Sequence, residues 1–190
     1  MLDRLIHNWV YGGFLAALML LALFPLFSGP WPETLRLTFL FVPLYMLHQY
    51  EEHDADRFRL YINSEVGKGR ELLTPWDVFV INIFGVWGVN VIACYLSAEI
   101  KPGLGLIAVY LAVVNGVVHI LNAIAFRRYN PGLATGAVIF LPFGGYALMR
   151  FNALGAGDLA SHLVGLGVAV AIHAAIVIHA LHRRRLLAPI

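Results

Sequence analysis

The sequence predicts an all-α protein, a polytopic membrane bundle of six transmembrane helices with both termini on the cytoplasmic side. Three observations lead there. Of its 190 residues 60% are hydrophobic and 13% charged, whereas a soluble domain is about 25% charged. Apolar runs of about 20 residues recur, each long enough at 1.5 Å per residue to cross a hydrocarbon core of about 30 Å. The lysines and arginines are divided unevenly among the connections, and this bias sets orientation. A formal charge of +2 gives no reason to expect a nucleic-acid partner. The single cysteine, Cys94, excludes an intramolecular disulfide and a CxxC metal site.

The spans are expected near residues 8–28, 36–57, 75–97, 103–126, 132–150 and 158–182. Arg4 precedes the first, as in a signal peptide, but no small-x-small cleavage site follows it; Pro25, Pro30 and Pro32 mark a turn instead. The second ends in the polar stretch LHQYEEH, and the connection after it, about 58–74, has room for a short interfacial helix. With the N-terminus inside, ten of the thirteen basic residues lie on the cytoplasmic side: Arg4, Arg57, Arg59, Lys68, Arg70, Arg127, Arg128 and Arg183 to Arg185. The outer connections keep Arg36, Lys101 and Arg150. No repeat, low-complexity tract or soluble segment interrupts the pattern, so residues 1–190 read as a single transmembrane domain. The expected location is integral to a membrane.

Ionisable and amide side chains at bilayer depth cost a few kcal/mol unless paired or wetted, which makes each a functional candidate. On the second helix His48, Glu51 and Glu52 stand at i, i+3 and i+4 and share an arc of about 100°. His53 falls about 140° from His48 at 3.6 residues per turn, toward headgroups or another helix. Asn115, His119 and Asn122 share a face of the fourth helix, and Asn82 and Asn90 a stripe of the third. His173 sits mid-span on the sixth, while His179 and His182 approach the final arginines. Counted from the inner anchors at 1.5 Å per residue, His48, Glu51, His119, His173 and Asn82 fall about 9–15 Å deep, in one layer. Adjacent carboxylates beside a histidine repel unless a cation or a shared proton neutralises them. A metal ion is the economical answer, and imidazole with carboxylate suits zinc, iron or manganese.

LHQYEEH, with His48, Glu51 and Glu52, resembles the HXXEE-motif family of bacterial integral membrane proteins, and the likeness continues through Asn82, the His119–Asn122 segment and RRYNPGLATG. That resemblance implies an enzyme whose reaction is unassigned. A looser likeness is to the CAAX-type intramembrane metalloproteases. There a paired glutamate is followed by an arginine four residues on, where this chain has Asp56, and His119 is three rather than four residues before Asn122.

The functional expectation is a metal-dependent hydrolase acting on a lipid or lipid-linked substrate at the cytoplasmic leaflet. His48, Glu51, His119 and His173 form the expected metal set, zinc first, with Glu52 as general base and Asn122 or Asn82 as oxyanion donor. Two alternatives stand beside it: a non-haem iron, di-iron or haem oxidoreductase, in which His119 and His173 could be axial ligands, and a small proton-coupled transporter. For the transporter, Pro43 and the Pro142, Gly144, Gly145 cluster would break helices, and a homodimer would be needed to give a six-span carrier enough length.

Overall fold

The computed structural model describes residues 1–187. Among the described residues five helices are long and apolar enough to cross a membrane: α1 (Leu2–Phe27), α4 (Pro75–Glu99), α5 (Pro102–Phe126), α6 (Leu133–Ala153) and α7 (Leu159–Leu186). The sixth expected span, α2 (Glu33–His53), is 21 residues long but too polar to qualify, because it carries Glu33, Arg36, Glu51 and Glu52 along with His48, Gln49 and His53. The reason lies in its position. α2 packs against α1, α4, α5 and α6, and Thr34, Thr38, His48, Gln49, Glu52 and His53 are all buried. Hydropathy reports contact with lipid, and much of this helix's surface touches protein instead.

α5 is the central helix, packed on α2, α4, α6 and α7. Small residues set the closest approach: a Cβ added at Gly165 of α7 would lie 2.7 Å from the Leu106 carbonyl oxygen of α5, and Ala169, one turn on, is fully buried. Toward its C-terminal end α7 is less buried. The core runs through Phe41, Tyr45, Leu111, Phe140 and Phe151, and the Tyr45 hydroxyl donates to the Leu111 carbonyl at 2.8 Å.

α2 stops at a reversal in which Ala55 and Asp56 both adopt left-handed backbone angles. That turn sends the chain back as α3 (Arg57–Tyr61), which widens into a π turn at Ile62–Val66. Asn63 then fastens the following loop by accepting from the Leu72 and Leu73 amides and donating to the Leu73 carbonyl. α4 begins in a capping box between Thr74 and Asp77 and widens over Ile81–Gly88, where Asn82 sits. The breaks expected at Pro43 and at Pro142 to Gly145 are absent: α2 and α6 continue through them. A π turn at Gly136–Phe140 directly before the α6 proline lets the ring fit.

Candidate metal centre

The site is built from the last two turns of α2, the C-terminal half of α5 and the 127–135 segment that joins α5 to α6. One ligand atom each from His48, Glu52 and His119 lies within 4.8 Å of the others, and all three residues are buried. His48 Nε2 is 3.6 Å from Glu52 Oε2, and His119 Nε2 is 3.5 Å from Glu52 Oε1. Two ligands bound about 2.0–2.2 Å from one ion at a tetrahedral angle stand roughly 3.3–3.6 Å apart, and each histidine lies at about that distance from one of the two Glu52 oxygens.

The hydrogen bonds behind the imidazoles fix their tautomers. The Thr135 hydroxyl donates its one proton to Glu51 Oε2, so its contact with His48 Nδ1 at 2.7 Å must be a bond donated by the imidazole. His119 Nδ1 donates to Asn130 Oδ1 at 2.6 Å, and Asn130 Nδ2 returns a bond to the His119 carbonyl at 2.9 Å. In both rings Nε2 is therefore the nitrogen turned toward Glu52, and it offers a lone pair there when the ring is neutral. His48 Nε2 is buried and has no hydrogen-bond partner. A carbonyl or hydroxyl holding the far ring nitrogen is how proteins orient metal-binding histidines.

Glu51 does different work from Glu52. Its Oε1 accepts from the Tyr129 hydroxyl at 2.6 Å and the Ala134 amide at 3.1 Å, and its Oε2 accepts from the Thr135 amide at 2.7 Å as well as the Thr135 hydroxyl. It is thus a cap on the first turn of α6, where a negative charge is favoured. Burial and the Glu51 carboxylate push the Tyr129 phenol up to about 12, so it remains a donor at neutral pH. Gly132 completes the arrangement. Its φ is +96°, and a Cβ there would lie 2.6 Å from His119 Cε1 and 2.9 Å from His48 Cε1. Only glycine allows the backbone to close over both rings.

The residues singled out from sequence divide accordingly. His48, His119 and Glu52 converge; Glu51, expected as the ligand, faces the 129–135 segment instead. Asn82 is occupied, accepting from Gln49 at 2.7 Å and donating to the Val78 carbonyl at 2.8 Å. Asn122 accepts from the Tyr61 hydroxyl at 2.7 Å, which leaves its amide protons for the cavity. His173 lines that cavity from α7, outside the triad, with Nδ1 bonded to the Ala169 carbonyl. His179 lies away from the triad, 3.3 Å from Asp77. His53, expected to face headgroups or another helix, is held between Trp9 of α1 and Phe58 of α3, and its Nε2 also lies 3.1 Å from Glu52 Oε2. The reversal after α2 brings Phe58 to it. Asn130, Gly132 and Thr135 were not singled out. The NPG turn signal between two apolar runs marks their segment, but nothing in the chain order indicates that it folds over α2.

A family model described as a protein of unknown function with an HXXEE motif matches residues 39–147. The chain belongs to this HXXEE family. No curated protein and no solved structure matches it. The HXXEE match runs from α2 into α6 and so takes in the triad together with Asn130, Gly132 and Thr135, while α1 and the His173 helix α7 lie outside it. Within the motif of this HXXEE protein, the histidine and second glutamate meet His119, and the first glutamate ties down the segment that orients them.

Proposed function

We propose that the chain is a metal-dependent hydrolase of the bacterial inner membrane, acting on a lipid or lipid-linked substrate at the cytoplasmic leaflet, with α2 as a sixth span and both termini in the cytoplasm. The observation that carries the reading is the pair of Nε2 lone pairs turned onto one buried carboxylate. Three electron-rich groups facing one another at low dielectric are neutralised by a cation or a shared proton, and a metal ion satisfies all three at once. Two imidazoles and a carboxylate, with the cavity side open, match a catalytic zinc set. A divalent ion there would polarise a substrate oxygen and acidify a water.

The chain's own groups take the remaining roles. Glu52 replaces Glu51 as the carboxylate ligand. His53, buried and within reach of Glu52, carries the proton that hydrolysis moves. Asn122 donates to the developing oxyanion, and Asn82, which accepts from Gln49 and gives one amide proton to the Val78 carbonyl, positions Gln49 against α4. His173 holds the polar part of the substrate from the opposite wall. The same two-histidine, one-carboxylate set also suits non-haem iron, which makes an oxidoreductase the second reading.

Elemental analysis of purified protein tests the centre. About one ion per chain is expected, lost in His48→Ala, Glu52→Gln and His119→Ala and kept in His173→Ala. Full occupancy in Glu52→Gln would remove that residue from the ligand set, and iron with visible absorption would favour the oxidoreductase.

A further inference from the structure

The cavity beside the triad joins a few polar groups to a largely apolar wall. Glu52, His119, Asn122 and His173, with Asn82 and Asn115, supply polar atoms to a space of about 280 Å³, while Ile81, Val86, Val118, Ile176, Val177 and Leu181 supply apolar ones. Its long walls include α4 and α7, which are not packed along each other among the described residues. They are joined at their cytoplasmic ends by Asp77 of α4, whose carboxylate lies 3.3 Å from His179 and 3.4 Å from Arg183 of α7. Beyond this clasp the walls stay apart, and Val177 and Leu181 line the cavity while being 56% and 43% exposed. The opening is continuous with apolar outer surface, where Phe84 of α4 and Ile178 of α7 are each 66% exposed.

We infer that the seam between α4 and α7 is a lateral passage for one hydrocarbon chain of a membrane lipid, which lies along the cavity with its polar end at Glu52, Asn122 and His173. The inference rests on the reading of the triad as the reacting centre. Water is a poor occupant of a space whose walls offer it few hydrogen bonds. A soluble ligand would have to cross the apolar surface around the mouth. A hydrocarbon chain meets the same environment on both sides of the seam. The volume lies at the lower limit of small-molecule sites, about 300 Å³, so it admits one chain and excludes a two-chain lipid entire. The Asp77 clasp fixes the cytoplasmic end of the seam, which leaves sideways movement from the leaflet as the route in.

The test uses the full chain in phospholipid vesicles containing a lipid with a diazirine midway along one acyl chain, with labelled residues located by mass spectrometry after irradiation. Label is expected at Ile81, Val118 and Ile176 as well as at the outward Phe84 and Ile178. Ile176→Trp, or independently Val118→Trp, should cut the interior label about tenfold, the factor expected from overfilling an apolar space with an indole. Outer label and metal content should be unchanged. Protein that holds its metal but takes label only at Phe84 and Ile178 overturns the passage. Interior label that neither plug reduces overturns it too. Protein with interior label and no metal overturns the centre and leaves the passage standing.

Discussion

The two glutamates of the motif are chemically identical and sequence neighbours, yet their surroundings separate them. Glu52 lies among three imidazoles, 3.1 to 3.6 Å from their Nε2 atoms, whereas Glu51 is saturated by donors from the 129–135 segment. Neutralising Glu51 therefore loosens the segment that orients His48 and His119 without touching either ring or Glu52. Glu51→Gln should retain the metal with affinity lowered about 10- to 100-fold, the usual cost of losing an outer partner, measured by chelator competition; an affinity equal to wild type would refute the positioning role. Gly132 is the sharper case. Gly132→Ala forces a left-handed angle on alanine, at about 1–3 kcal/mol, and drives a methyl into both ligand rings. Thermal unfolding should register the loss of stability, and metal content should fall with it.

At the scale of elements, α7 is held in two ways that separate stability from access. Its N-terminal half sits on α5 through Gly165 and Ala169, both buried, and its C-terminal end is tied to α4 by the Asp77 clasp. Gly165→Val places branched carbon against the Leu106 carbonyl and should cost about 1–3 kcal/mol by overpacking, seen as a lower unfolding temperature with metal retained. A temperature equal to wild type would mean that the two helices are not seated on each other at that point. α2 shows a related division. Its N-terminal end is anchored by the Glu33 carboxylate, which receives Arg150 at 2.6 and 2.9 Å, and its C-terminal end carries His48 and Glu52.

For the whole molecule, the uneven distribution of lysine and arginine makes orientation testable. With Cys94 replaced by serine, a cysteine at Lys68 should react with an impermeant thiol reagent only from the cytoplasmic side and one at Lys101 only from the outside. The reverse pattern would invert the bundle and move the site to the outer leaflet. The clasp and the triad lie toward the same end of the bundle, so either outcome assigns both to one leaflet. The Lys101–Asp158 pair at 2.6 Å and the Glu33–Arg150 pair mark the other end.

Composition and apolar run length determined the helical class, because a backbone in hydrocarbon must satisfy its hydrogen bonds within helices. The i, i+3 and i+4 spacing determined that His48, Glu51 and Glu52 share one side of α2, and the depth count placed His119 level with them. Spacing could not separate Glu51 from Glu52, since their directions differ by one residue's rotation and the difference depends on which partners approach from other helices. Hydropathy expected α2 to read as a span like the rest, whereas the structure shows its polar side chains sheltered by neighbours. Tertiary structure alone brought Asn130, Gly132 and Thr135 to the histidines and turned His53 onto Glu52. Those contacts join residues far apart in the chain, or depend on a reversal at Ala55 and Asp56, and no local periodicity encodes where a loop closes.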